Sequence, residues 1–114
     1  MALLEMEGPY PLTKEEIDKR ITETKPGNYA YGHTEDGTFY VEYVGRADSD
    51  INDRIKHGIG SYKEFKFSYA TSAKEAYEKE CRNYHDFGES ESLDNERHPD
   101  KPDYKNYKCP VCGK

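Results

Sequence analysis

Two stretches of alternating aromatic and polar residues, separated by a short turn, constrain the fold of this chain more than any other feature. The first stretch covers 28–34, and the second, over 38–45, is rich in β-branched and aromatic residues. Between them lies Glu35-Asp36-Gly37, and an Asp-Gly pair readily adopts the left-handed backbone that a tight turn requires. The sequence therefore predicts an antiparallel β-hairpin.

Capping signals and hydrophobic periodicity predict the remaining elements. Capping-box pairs begin two helices, one from Thr13 to about Ile21 and a longer one over 73–87. Asp residues at 48 and 50 favour a helix over 51–57, and alternation over 64–70 favours a further strand. This element order predicts a small α/β (α+β) domain whose sheet has three strands and is largely antiparallel.

The chain is expected to form one domain with polar ends. Residues 1–25 are predicted to be an N-terminal extension with a short helix. Its Gly8-Pro9-Tyr10-Pro11 segment is typical of an extended, irregular lead-in. The domain itself is predicted over 26–95, and 96–114 is predicted to be a polar tail.

Composition limits both the core and the location of the protein. Only 33% of the 114 residues are hydrophobic, and Tyr supplies eleven residues while Trp is absent, so a small core with many phenols is expected. No run of 18 apolar residues occurs, so no transmembrane helix is predicted. The first residues form a segment that is too short and too acidic for a signal peptide. We therefore expect an intracellular, cytoplasmic protein that does not enter membranes.

The formal net charge of −6 disfavours binding to nucleic acid, because phosphate neutralisation requires a basic surface. Cations nevertheless cluster in the middle of the chain while many acids lie elsewhere. This predicted basic patch consists of Arg46, Arg54, Lys56, His57, Lys63 and Lys66.

Three short motifs follow one another in a specific order. Gly27-Asn28-Tyr29 begins the first predicted strand, Tyr43-Val44-Gly45 ends the second, and Arg54 lies on the helix that follows. This order resembles the GIY-YIG nuclease family, and the resemblance extends from residue 27 to about residue 95. It implies an α/β nuclease domain that hydrolyses DNA phosphodiester bonds with one divalent ion, Mg²⁺ or Mn²⁺.

The resemblance also implies roles for individual residues. Tyr29 would activate or position the attacking water, Tyr43 would orient the site, and Arg54 would contact the scissile phosphate. His57 matches a His or Tyr position of the family. Glu80 would bind the divalent ion.

Some positions depart from the family pattern. The first motif has the polar Asn28 where the family has an apolar residue, and Arg54 lies one residue further from Gly45 than is commonest. Asn95 is a loose match to an asparagine that often closes the site. Glu75, Glu78 and Glu80 share one predicted helix, and Glu80 is the one whose offset along that helix matches the family.

The residue types suit this chemistry independently of the family. Arg provides planar and permanently charged recognition of phosphate. One carboxylate can hold Mg²⁺ when substrate phosphate completes its ligands. Tyr has a free pKa of about 10 and needs a nearby cation to act as a base.

The cysteines predict a second metal site. Cys109-Pro110-Val111-Cys112 is similar to half of a zinc knuckle, and Cys81 and His85 share one face of the last helix. Together they would form a structural Zn²⁺ site that attaches the tail to the domain, with His98 as an alternative fourth ligand. The competing interpretation is that Cys81 is simply a buried small residue and His85 has no ligand role.

Two classes of function remain open. The first is the endonuclease; the second is a catalytically inactive, zinc-stapled module that binds nucleic acid or a protein partner. Each tyrosine alone is most simply a packing residue, so the functional interpretation depends on the joint order of the motifs. The sequence does not determine the oligomeric state.

Overall fold

The structure, a computed structural model, describes residues 6–87 and residue 93. Four strands and three helices follow one another along these residues, and the second and third strands are consecutive. The elements are β1 (Glu7–Pro11), α1 (Lys14–Arg20), β2 (Gly27–Glu35), β3 (Thr38–Ala47), α2 (Ile51–Ile55) with a following 3-10 turn (Lys56–Gly58), β4 (Glu64–Tyr69) and α3 (Ala73–Asp86). The described part of the chain is thus a small α+β fold.

The predicted hairpin is confirmed. β2 and β3 pair antiparallel from Gly27 opposite Ala47 to Glu35 opposite Thr38. The loop residues Asp36 and Gly37 have φ values of 51° and 79°. Positive φ at both central residues is the geometry that the Asp-Gly pair favours in a two-residue hairpin loop.

The sheet has four strands in the order β1-β4-β2-β3, all antiparallel, so the prediction of three strands was wrong. The additional strand, β1, pairs with β4 and places Tyr10 opposite Phe65. Its prolines suggested an irregular segment, but an edge strand tolerates proline because one of its sides donates no ladder hydrogen bonds. The residues before 26 therefore contribute a strand of the sheet.

Helices cover both faces of the sheet. On one face the aromatic residues Tyr29, Tyr31, Phe65 and Phe67 form the main core with buried isoleucines of α1 and α2. On the other face Ala30 and Val44 pack with Tyr84 of α3. The sheet therefore lies between α1 and α2 on one side and α3 on the other.

Side-chain hydrogen bonds fix the helices at their predicted starts. Thr13 caps α1, Asp50 caps α2 and Ser72 caps α3, each accepting from the backbone N–H three residues on. Asn52 of α2 donates to the Ile21 carbonyl at 3.0 Å and so ties α2 to the end of α1. The position of α2 matters because it carries Arg54.

Within residues 6–87, none of the helices combines the length and the apolar character needed to cross a bilayer.

Candidate functional site

Four of the residues singled out from the sequence line one open pocket. Its volume is about 270 Å³. Tyr29, Tyr43, Arg54 and His57 line it, together with Tyr31, Gly58, Ser61 and Tyr62. The structure thus brings together residues from β2, β3, α2 and the following turn.

The pocket wall is a cluster of tyrosines. Tyr29 and Tyr31 project from the same face of β2 with ring centroids 4.9 Å apart. Tyr43 of β3 lies 6.5 Å from Tyr29, and Tyr62 stacks on Tyr31 at 4.9 Å. Because aromatic rings lose few rotamers on packing, this cluster holds its hydroxyl groups in fixed positions.

Two glycines allow the tyrosines to lie this close to the backbone. A Cβ atom at Gly45 would collide with the Tyr29 phenol, and a Cβ atom at Gly58 would collide with the Tyr31 phenol. Any larger residue at Gly45 would therefore displace Tyr29 from its place. This contact is the physical reason for the glycine of Tyr43-Val44-Gly45.

The two buried phenols have different partners. The Tyr31 hydroxyl donates to the Ile55 carbonyl at 2.9 Å, which anchors α2 to the sheet. Burial raises the pKa of Tyr29, and a hydrogen bond with the Arg54 side chain partly offsets this rise. Tyr29 is therefore the phenol that faces the guanidinium group.

Glu80 is a buried carboxylate of α3 with 7% of its surface exposed. Its Oε1 atom accepts from Arg46 Nη1 at 2.6 Å, and Arg46 Nε donates to Asp48 Oδ1 at 2.9 Å. One guanidinium group therefore bridges two carboxylates. Arg46 also lies over the ring of Tyr77, 5.2 Å from its centroid.

Glu80 does not line the tyrosine pocket, but it is electrostatically coupled to it. After burial, the Glu80 charge is the largest influence that raises the pKa of Tyr43. Arg54 in turn lowers the pKa of Glu80. α3 packs against the opposite face of the sheet, and the charge of its Glu80 acts on Tyr29, Tyr43 and Arg54 from there.

The structure distinguishes among the three acids of α3. Glu75 closes the capping box, because its carboxylate accepts from the hydroxyl and the backbone N–H of Thr71 at 2.9 and 3.1 Å. Glu78 is half-buried. Of the three, Glu80 alone is buried, and its role as a metal ligand stays a prediction.

Burial raises the pKa of Glu80 to about 7, although Arg46 opposes the rise, and the charge of Asp48 adds to it. Burial also disfavours the charge of Arg46, but the neighbouring Glu80 outweighs this effect and raises the pKa of Arg46. Strongly shifted carboxylates are commonest at functional sites. Among the acids of the site, Glu80 has the most strongly shifted pKa.

Arg46 is the residue that sequence reasoning missed. It was included only as one cation of the predicted basic patch, although it directly follows Gly45. Another cation of that patch, Lys56, pairs with Asp18 at 2.7 Å. Part of the predicted patch is therefore neutralised by ion pairs within the protein.

Only part of the predicted zinc site falls within the described residues. Cys81 is fully buried in α3 beside Tyr77, and His85 follows it by one turn of the same helix. His98, Cys109 and Cys112, like Asn95, lie outside the described residues. Among residues 6–87 and 93, no group of three or more His, Cys, Asp or Glu side chains could hold a metal ion. The zinc site stays a prediction.

Glu80 and Asp48 are the two carboxylates beside the site that a divalent ion would use, and Arg46 now bridges them. Glu80 and Asp48 repel each other, since the Asp48 charge raises the pKa of Glu80, and a divalent cation would relieve that repulsion. Mg²⁺ commonly takes one or two carboxylates and is completed by substrate phosphate and water. The carboxylate of Glu80 would hold the ion, and its Arg46 contact would then be shared or exchanged.

Comparison of the chain with models of known families, with curated proteins and with solved structures finds no match. The features of the molecule that bear on its function are therefore the geometry of the pocket and the motif residues around Tyr29, Arg54 and Glu80.

The raised pKa of Glu80 predicts a pH-dependent stability. Its folded-state value of about 7 lies above the ordinary 4.5, so the neutral form stabilises the fold fully below pH 4.5. This contribution is lost as the pH rises to about 7, and the shift corresponds to about 3 kcal/mol. Glu80→Gln, which stays neutral, is therefore expected to raise the free energy of unfolding at pH 8 and to change it little at pH 4.5.

Urea unfolding at both pH values measures this difference, with Glu78→Gln on the same helix as the matched control. An equal effect of Glu80→Gln at both pH values would contradict the burial of an ionisable Glu80.

Proposed function

We propose that this chain is a GIY-YIG-type endonuclease that hydrolyses DNA phosphodiester bonds with one divalent metal ion. The observation that carries the proposal is the pairing of the buried Tyr29 phenol with Arg54 in an open pocket. The carboxylate of Glu80 is coupled to both groups. These are three of the groups that phosphodiester hydrolysis requires, and they come from three separate elements.

Arg54 would bind the scissile phosphate. Its guanidinium group lines the pocket and is permanently charged, and the Tyr29 phenol beside it raises its pKa further. Planar guanidinium groups recognise phosphate oxygens with two parallel hydrogen bonds. Charge that develops on the phosphoryl oxygens would be stabilised by the same group.

Tyr29 would position the attacking water. Burial keeps its phenol protonated at neutral pH, so in the substrate-free protein its hydroxyl can donate or accept a hydrogen bond. Water would attack phosphorus in line and release one proton to solvent, forming one P–O bond while the bond to the departing sugar oxygen breaks and that oxygen takes up a proton from solvent. Tyr43, across the pocket, would limit the directions from which water enters.

Glu80 would hold Mg²⁺ or Mn²⁺, which supplies positive charge for the phosphoryl and leaving oxygens. Its raised pKa means that a cation and a proton compete for the carboxylate. Metal binding should therefore be strongest above pH 7.

One observation favours the alternative, a catalytically inactive module that binds nucleic acid or a protein partner. Arg46 already neutralises Glu80 and Asp48, and a site with an internal cation has less need of a metal ion. The acidic net charge of −6 favours the same alternative. The two functions differ in whether DNA is cut or only bound.

Cleavage of plasmid and branched DNA in Mg²⁺ tests the proposal. Tyr29→Phe and Glu80→Gln are each expected to lower the cleavage rate by about 100-fold or more, because each removes a group that acts in the transition state. Glu78→Gln, on the same helix but outside the site, should cleave like the wild type.

If the wild type and Glu80→Gln produce the same small amount of nicked DNA, the nuclease assignment is wrong. DNA retained in a gel shift without any cleavage would then support the binding module.

We also propose a structural Zn²⁺ ion held by Cys81, His85, Cys109 and Cys112, with His98 as the alternative ligand. Purified protein is expected to contain about one equivalent of zinc, and Cys109→Ser should lower both the zinc content and the melting temperature. Elemental analysis and thermal unfolding measure the two quantities. Less than about half an equivalent in the wild type would contradict a four-ligand site.

A further inference from the structure

Asn28 lies beside Tyr29 in the sequence but points to the other face of the sheet. It is fully buried, and its Nδ2 atom donates to the backbone carbonyl of Ala76 in α3 at 2.8 Å. The side chain therefore links β2 to α3 directly. It occupies the middle of the first motif, where an apolar residue would bury more favourably.

The carbonyl that Asn28 binds lies one helical turn before Glu80. In an α-helix the N–H of residue 80 donates to the carbonyl of residue 76, so the Ala76 oxygen accepts from both elements. The bond connects the strand that carries Tyr29 with the helical turn that carries Glu80. Sliding or rotation of α3 along β2 would break it.

This link has a cost in stability. The Oδ1 atom of Asn28 is buried and accepts no hydrogen bond from any of the residues that the structure describes. An unsatisfied buried polar atom destabilises the fold, because it loses its hydrogen bonds to water without gaining a partner. An apolar side chain would avoid the cost but would leave the Ala76 carbonyl without its second donor.

We propose that Asn28 is a positioning residue that fixes α3 against β2, so that the Glu80 carboxylate keeps its place relative to Tyr29 and Arg54. The inference rests on the proposed function for its catalytic consequence. Its structural part, the anchoring of the turn that carries Glu80, stands on the Asn28–Ala76 bond itself.

Asn28→Leu, which keeps the shape of the side chain but lacks the donor, tests the inference. With a DNA substrate that the wild type cleaves, kcat should fall about 10- to 100-fold. Small displacements of a catalytic group have effects of this size. KM should stay within about twofold, since the phosphate-binding Arg54 does not contact Asn28. The melting temperature should be unchanged or higher, because the unsatisfied amide is removed.

Amide hydrogen exchange in the metal-free protein provides a second readout that needs no activity. The Glu80 amide should exchange about tenfold faster or more in Asn28→Leu, while the amides of the β2–β3 hairpin keep their protection. Should the leucine not fit and the protein unfold, Asn28→Ala removes the same donor without adding volume.

The matched control is Asn83→Leu. Like Asn28, Asn83 is a buried asparagine with an unsatisfied side-chain atom, Nδ2, but it lies in α3. It should leave both kcat and the exchange of the Glu80 amide unchanged. If the Asn28 variants keep wild-type kcat and Glu80 exchange, the inference is wrong. If the wild type does not cleave DNA, the exchange measurement alone decides it, and the failure belongs to the proposed function.

Discussion

The close contact between the Tyr29 ring and the Gly45 backbone determines where the site can form. Because Gly45 has no side chain, the phenol of β2 lies across β3, the edge strand of the sheet. There it meets Arg54 from α2. The hairpin register supports this contact, since Tyr29 and Gly45 are directly opposite partners.

The site also contains buried charges that contribute little to the stability of the fold. Glu80 and Arg46 form a pair that is largely removed from water, with the exposed Asp48 at its edge. The raised pKa of Glu80 indicates that burial outweighs the attraction of Arg46. Buried ion pairs often contribute little to stability and are retained for other reasons. Asn28, with its unsatisfied oxygen, is a second costly residue, and it contacts the same helix. Both features are easier to explain if α3 must present Glu80 in a fixed place.

Local signals were sufficient for most of the fold. The Asp-Gly turn predicted the hairpin, and the capping residues Thr13 and Ser72 predicted the starts of two helices, because each signal acts over three or four residues. β1 was missed because its pairing with β4 is formed by residues more than fifty positions apart, while its prolines argue locally against a strand. Tyr29, Tyr43, Arg54 and His57 of the pocket were found through motif order, whereas Tyr31 and Tyr62 belong to no motif and were not. The Arg46–Glu80 pair and the Asn28–Ala76 bond were not found, because nothing in the sequence states which face of the sheet α3 covers.

The most direct test of the central claim is anomalous diffraction from crystals soaked in Mn²⁺. If Glu80 is the metal-binding carboxylate of a nuclease site, one Mn²⁺ ion should lie within about 2.3 Å of its oxygen atoms, on the side that faces Tyr29 and Arg54. A Glu80 carboxylate that keeps its Arg46 contact and binds no ion at saturating Mn²⁺ would contradict the assignment.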